Sequence, residues 1–170
     1  MIDYAQRGVS ISAAFLEQAR RVPKEERPDY VLWGGSKVQT GDRIPVPRKG
    51  RVRGEFLSAK PVTEQGFDMK VKGWLELAAG ERVSPLRTWY DEKYEATVEY
   101  PFSSRDGLLL VWNVYKMHYP GGQIVEEKWT GNAGFIVEQI GERDRIYHCS
   151  PGNLSEPDFE SLVFRISILE

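Results

Sequence analysis

LLLVWNVYKMHY at positions 108–119, followed by PGG at 120–122 and QIVEEKW at 123–129, is the stretch whose reading decides the fold. Alternate residues of a strand point to opposite faces, and here both sets begin apolar: Leu109 and Val111 on one, Leu108, Leu110 and Trp112 on the other. Such a strand starts covered on both sides and then, from Asn113, Lys116 and His118, opens to polar surroundings. Pro120-Gly121-Gly122 turns the chain back on itself into an antiparallel hairpin. With a three-residue loop and Gly122 left-handed, paired positions sum to 242, so Lys116 faces Glu126 and Tyr115 faces Glu127. A two- or four-residue loop shifts the sum by one and loses both pairs.

Working outward, similar runs rich in β-branched and aromatic residues recur at Arg51–Leu57, Phe67–Leu77, Lys93–Phe102, Phe135–Ile140, Arg145–Cys149 and Leu162–Leu169, with a short one at Tyr30–Trp33. Each ends near Gly, Pro, Asn or Asp. The expectation is a mainly β chain of about nine antiparallel strands, either a closed barrel of lipocalin-like kind or a β-sandwich. Most strands should lie from about residue 50 onward, because Gly34 to Gly50 carries four glycines and two prolines and reads as loop. One amphipathic helix is expected over 11–22, burying Ile11, Phe15, Leu16, Ala19 and Val22, with Ser10 or Ser12 as N-cap and Pro23 beyond its end.

The chain has 170 residues, which fits a single domain, 1–170, able to build its own core. Lys and Arg number 23 against 25 Asp and Glu, so no global basic field draws in nucleic acid or an anionic membrane, and neither is expected as a partner. The longest apolar run, Leu108–Trp112, is far short of the ~20 residues of a membrane-crossing helix. The opening MIDYAQR lacks the pattern of an export signal, so the expected location is cytoplasmic.

Cys149 stands alone, which excludes an intramolecular disulfide and a multi-cysteine metal site, and its apolar neighbours mark it as a small buried hydrophobe. The two histidines, His118 and His148, are not spaced as ligands, so no metal and no cofactor is expected. Arg43 to Arg53 is basic but lacks interleaved aromatics and reads as a solvated loop entering an edge strand. Glu156-Pro-Asp-Phe-Glu-Ser-Leu-Val-Phe164 locally resembles the acidic end strand of some calcium-binding β-sandwich domains; Ser161 stands where those domains place an oxygen ligand, so calcium is not expected.

The chemistry left by this poverty in Cys and His is that of carboxylates, phenols and indoles. Five Trp and eight Tyr, many of them in central strands, point to a small-molecule-binding barrel for an apolar or aromatic ligand. Expected ligand contacts are Trp74, Arg87, Trp89, Tyr90, Trp112 and Trp129. If the cavity is catalytic, it belongs to a metal-independent isomerase, cyclase or lyase using Tyr115, Glu127, Glu126, Asp91 and His118 as its acid–base set. The alternative is a protein–protein interaction module working through the basic loop, the acidic C-terminal segment or a sheet edge, with a homodimer as one such assembly.

Overall fold

In a computed structural model describing residues 1–169, a helix α1 (Ile11–Arg21) is followed by twelve strands. In chain order these are β1 (Val31–Trp33), β2 (Ser36–Val38), β3 (Asp42–Pro45), β4 (Lys49–Ala59), β5 (Gln65–Glu76) and β6 (Arg82–Val83). Then come β7 (Leu86–Trp89), β8 (Thr97–His118), β9 (Ile124–Glu127), β10 (Gly134–Gln139), β11 (Asp144–Ser150) and β12 (Leu162–Leu169). The deciding stretch is thus the second half of one strand of 22 residues. Two expected strands, Lys93–Phe102 and Leu108–Tyr119, fuse because the intervening SSRDG is a bulge rather than a turn. Residues 105–108 of β8 oppose Lys72 alone, and the Ser104 hydroxyl closes the bulge by accepting from the Leu108 amide at 3.1 Å and donating to the Leu108 carbonyl at 2.9 Å.

Every pairing among these strands is antiparallel. The main sheet runs β10-β11-β12-β4-β8-β5, with β6 and β7 on the far edge of β5. β8 organises it: one edge pairs in turn with β4, β3 and β9, and the other with β5. The sheet is not the expected closed barrel; it has ten strands, and with the separate β1-β2 pair the described strands number twelve rather than nine. Between β10 and the segment that becomes β3 lies a single isolated bridge, Gln39 to Phe135, where a barrel needs a ladder. The strands that escaped sequence reading, β2, β3, β6 and β7, are two to four residues long, too short to show an alternation, and two of them fall in the Gly- and Pro-rich stretch read as loop.

The inner faces meet over a core of Val52, Phe56, Phe67, Met69, Leu75, Phe102, Leu109, Val111, Phe135, Tyr147, Phe164, Ile166 and their neighbours. Five rings form a continuous ladder, Phe56 to Phe67 to Phe164 to Tyr147 to Phe135, at centroid separations of 5.1, 4.6, 4.9 and 5.2 Å. Rings thus pack the space in which the barrel reading placed a ligand.

A second cluster, Tyr4, Ile11, Ala14, Val31 and Val38, docks α1 on the β1-β2 hairpin. Ser10 caps the helix, its hydroxyl accepting from the Ala13 amide at 3.2 Å, while Arg27 donates to the Ala19 and Val22 carbonyls at the other end. The buried stripe is Ile11, Ala14 and Gln18, rotated from the expected one, and Leu16 is 60% exposed. Gln18 turns inward because its amide reaches the Tyr30 carbonyl at 3.0 Å, a bond no apolar side chain could make.

Candidate functional site

The hairpin adopts the three-residue loop. Tyr115 pairs with Glu127, Lys116 with Glu126, Met117 with Val125 and His118 with Ile124, and both turn glycines have positive φ, 94° at Gly121 and 87° at Gly122. The five candidate acid–base residues nevertheless do not converge. Tyr115 is fully buried on the core side of β8, and its hydroxyl is committed to Thr130, accepting from the Thr130 amide at 3.1 Å and meeting the Thr130 hydroxyl and carbonyl. The Thr130 hydroxyl donates in turn to Glu127 at 3.0 Å, and Tyr119 donates to the other oxygen of Glu127 at 2.8 Å. This chain, Tyr115 to Thr130 to Glu127 to Tyr119, ties the hairpin to the loop that follows it. Burial pushes the Tyr115 phenol above its ordinary pKa, and the bond to Glu127 does the same for Tyr119.

Glu126 is exposed and accepts from Arg87 at 3.2 Å. His118 pairs with Glu64 at 2.7 Å, which holds the Glu64 carboxyl below its usual range. Asp91 lies in an exposed turn, accepting from the Lys93 amide at 2.9 Å. Among the expected ligand contacts, Trp74 carries the Arg82 guanidinium 3.9 Å above its ring, and Tyr90 packs edge-on against Phe56. Cys149 is wholly buried, which raises its thiol pKa well above the ordinary value.

Arg87, Trp89, Trp112 and Trp129 do share a surface, and it is the outer face of the sheet. Leu109 and Val111 enter the core, so Leu110 and Trp112 project the other way. Strand register then lays out rows across that face. Arg43 of β3, Leu110 of β8 and Lys70 of β5 are direct cross-strand neighbours; Trp112, Asp68 and Arg87 form the next row. Asp68 is 1% exposed and grips Arg87 through two bonds of 2.8 Å, while Lys116 and Arg87 both lie over the Trp89 ring, 5.1 and 5.9 Å from its centroid.

Beside Trp112 the face sinks into an open hollow of about 480 Å³, bounded by Trp112, Trp129, Leu110, Lys70, Arg43 and, from α1 and the loop after it, Phe15, Pro28 and Asp29. The two indoles meet at 5.5 Å with their planes 56° apart, and the Lys128 ammonium sits over both, 5.0 and 4.7 Å from their centroids. Two features set this place apart. The Trp112 indole N–H is buried with no hydrogen-bond partner, as are three other side-chain atoms described, Gln65 Oε1, Thr88 Oγ1 and Arg145 Nε, but only here beside an open hollow rimmed by a second indole. Trp129 has φ of 63°, the one non-glycine residue described in the left-handed region. A bulky side chain held there costs about 1–3 kcal/mol and persists only when its surroundings over-determine it.

Those surroundings are visible. Thr130 is fixed by Tyr115; the Gly131 carbonyl accepts from the Ser12 amide at 3.0 Å; Asn132 accepts from the Ile11 amide at 3.2 Å and donates to the Leu154 carbonyl at 2.9 Å. Gly152 closes the back of the loop, since a Cβ there would lie 2.4 Å from the Tyr115 hydroxyl. Two of the residues expected to do acid–base work, Tyr115 and Glu127, are therefore part of the frame that presents Trp129.

Sequence reading found the two indoles but missed Lys70, Arg43, Lys128 and Thr130. Arg43 was absorbed into a supposed loop, and Lys70 shares the outer face with Leu110 only through a register that spans 40 residues of chain. No family model, no curated protein and no solved structure matches the chain, so its functional reading rests on this hollow and its lining.

Proposed function

We propose that this protein binds a small planar aromatic molecule in the outer hollow, against Trp112 and Trp129, and that it does so without catalysis. The observation that carries the reading is the pairing of a buried indole N–H lacking any partner with a neighbouring indole held in a costly backbone conformation at the mouth of an open hollow. Buried donors are satisfied as a rule, and strain concentrates where a surface has work to do. Two tilted rings with an apolar floor at Leu110 give a flat ligand its contact area. Binding is favoured over chemistry by the dispersal of the carboxylates and phenols described above. It is favoured over an interaction module by ion pairs within the charged segments: Arg51 and Arg53 pair with Glu99, Lys60 with Asp158, and His148 lies 3.0 Å from both Glu138 and Glu160.

The test is a ¹H–¹⁵N correlation experiment on the indole N–H groups, with 2-naphthol as probe. The Trp112 and Trp129 signals should move together and saturate, with Trp74 unaffected, and Trp129→Ala should abolish the effect. If the Trp112 signal stays still up to millimolar probe, or responds equally in Trp129→Ala, the reading is wrong.

A further inference from the structure

The electrostatics of the hollow narrow the ligand further, on the premise that the hollow is a binding site. Lys70 and Arg43 flank Leu110 as its direct cross-strand neighbours, one from each side, and line the hollow. Among the described residues neither makes an ion pair or a side-chain hydrogen bond. Lys128 adds a third positive charge, engaged among the described residues by the two indole faces. Against these stand Asp29, which is exposed, and Asp42, whose carboxylate is already occupied by the Arg145 guanidinium at 2.8 Å and the Tyr147 hydroxyl at 2.7 Å. With Asp106 of the adjoining groove 3.9 Å from Lys72, three cations face only Asp29 as an uncommitted carboxylate, and a surplus of positive charge on one face is an arrangement that a bound anion relieves.

We infer that the ligand is a planar aromatic anion, its ring against Trp112 and Trp129 and its carboxylate, sulfonate or phosphate between Lys70 and Arg43. The two parts of the site lie in adjacent rows of the same sheet face. Paired strands stand about 4.8 Å apart and residues of one face recur every ~7 Å, so ring and acid must be joined directly or through one or two atoms. Arg43 offers a planar fork for two oxygens of the acid, and Lys70 a point charge on its other side. The groove continues past Leu110 toward Leu108 and Lys72, leaving room for a substituent on the acid side.

The experiment compares three probes of similar shape, naphthalene-2-carboxylate, naphthalene-2-carboxamide and 2-aminomethylnaphthalene, by calorimetry and by the indole N–H signals. Charge-assisted bonds are roughly twice as strong as neutral ones but are screened in an open site. The carboxylate should therefore bind about tenfold more tightly than the carboxamide at low salt, the gap should close as salt rises, and the amine should bind most weakly. Arg43→Gln with Lys70→Gln should reduce carboxylate affinity to that of the carboxamide while leaving the carboxamide and the melting temperature unchanged. Equal affinity of acid and amide, each moving the Trp112 signal, would overturn the anion inference and leave the aromatic site standing. Silence with all three probes would overturn both.

Discussion

Replacing Tyr115 by Phe separates the two roles open to this residue, reacting phenol or brace for the loop that carries Trp129. The change removes one oxygen from a fully buried side chain and nothing else. That oxygen accepts from the Thr130 amide at 3.1 Å and bonds the Thr130 hydroxyl and carbonyl. Without it the Thr130 amide loses its partner at a part-buried site, which costs about 1–3 kcal/mol, and the lost phenol bond itself adds about 1 kcal/mol. Part of this is returned because the apolar ring no longer needs its hydroxyl desolvated, leaving a net destabilisation of about 2–3 kcal/mol. For a domain of this size 1 kcal/mol corresponds to about 2–4 °C, so Tm should fall by about 4–12 °C in a melt followed by near-ultraviolet circular dichroism.

A double-mutant cycle with Thr130→Val adds the decisive comparison. If the two hydroxyls and Glu127 act as one network, the double variant should be less unstable than the sum of the single ones by at least about 0.5 kcal/mol. Affinity for 2-naphthol should weaken in Tyr115→Phe, because Trp129 is no longer held. A Tm within 1 °C of the parent, or strictly additive losses, would refute the bracing role and return Tyr115 to the candidates for chemistry.

Trp129→Gly should be more stable than Trp129→Ala by about 1 kcal/mol, measured by urea denaturation, because only glycine takes φ of 63° without penalty; the usual order, alanine at least equal to glycine, would show that the strain is not real. Arg87→Gln should destabilise by about 2–4 kcal/mol in the same assay by leaving the buried Asp68 carboxylate without its counter-charge, whereas Arg87→Met combined with Asp68→Leu should recover most of the loss. The Asp144 carboxyl is held below its ordinary value of 3.8 by the Ser167 hydroxyl and the Arg165 guanidinium. Its contribution is therefore complete above about pH 4 and is lost as pH falls through the lower folded-state value; Asp144→Asn should flatten the acid limb of the stability curve and leave the slope near pH 7 unchanged.

The hairpin at 108–129 was legible because two constraints agree there: the Pro-Gly-Gly turn sets the register, and the switch from doubly apolar to polar alternation marks where cover ends. The start of α1 was legible through Ser10, yet its buried face was not, because Gln18 goes inward for a hydrogen bond to a loop that periodicity cannot see. SSRDG at 103–107 carries every mark of a turn and forms a bulge, since Ser104 satisfies the Leu108 backbone in place of a reversal. Trp112 and Trp129 could be picked out as ligand contacts by residue type. Their side of the sheet could not, because the phenylalanines that fill the interior and the indoles that line the hollow have the same apolar signature until the neighbours of each strand are known. The cations beside Leu110 come from β3 and β5, and nothing local in either strand announces the meeting.

β12 follows all the other strands in the sequence and lies inside the sheet, paired on one side with β4 and on the other with β11. Until Leu162–Leu169 has left the ribosome, β4 and β11 each keep an open hydrogen-bonding edge, and the ring ladder is broken at Phe164, its central member. Completion of the sheet therefore waits on its last strand, with pairings that span a hundred residues closing together. A nascent chain with two open edges is a target for chaperones and for edge-to-edge association, so substitutions in β12 should lower the yield of soluble protein more sharply than equally destabilising ones in β9.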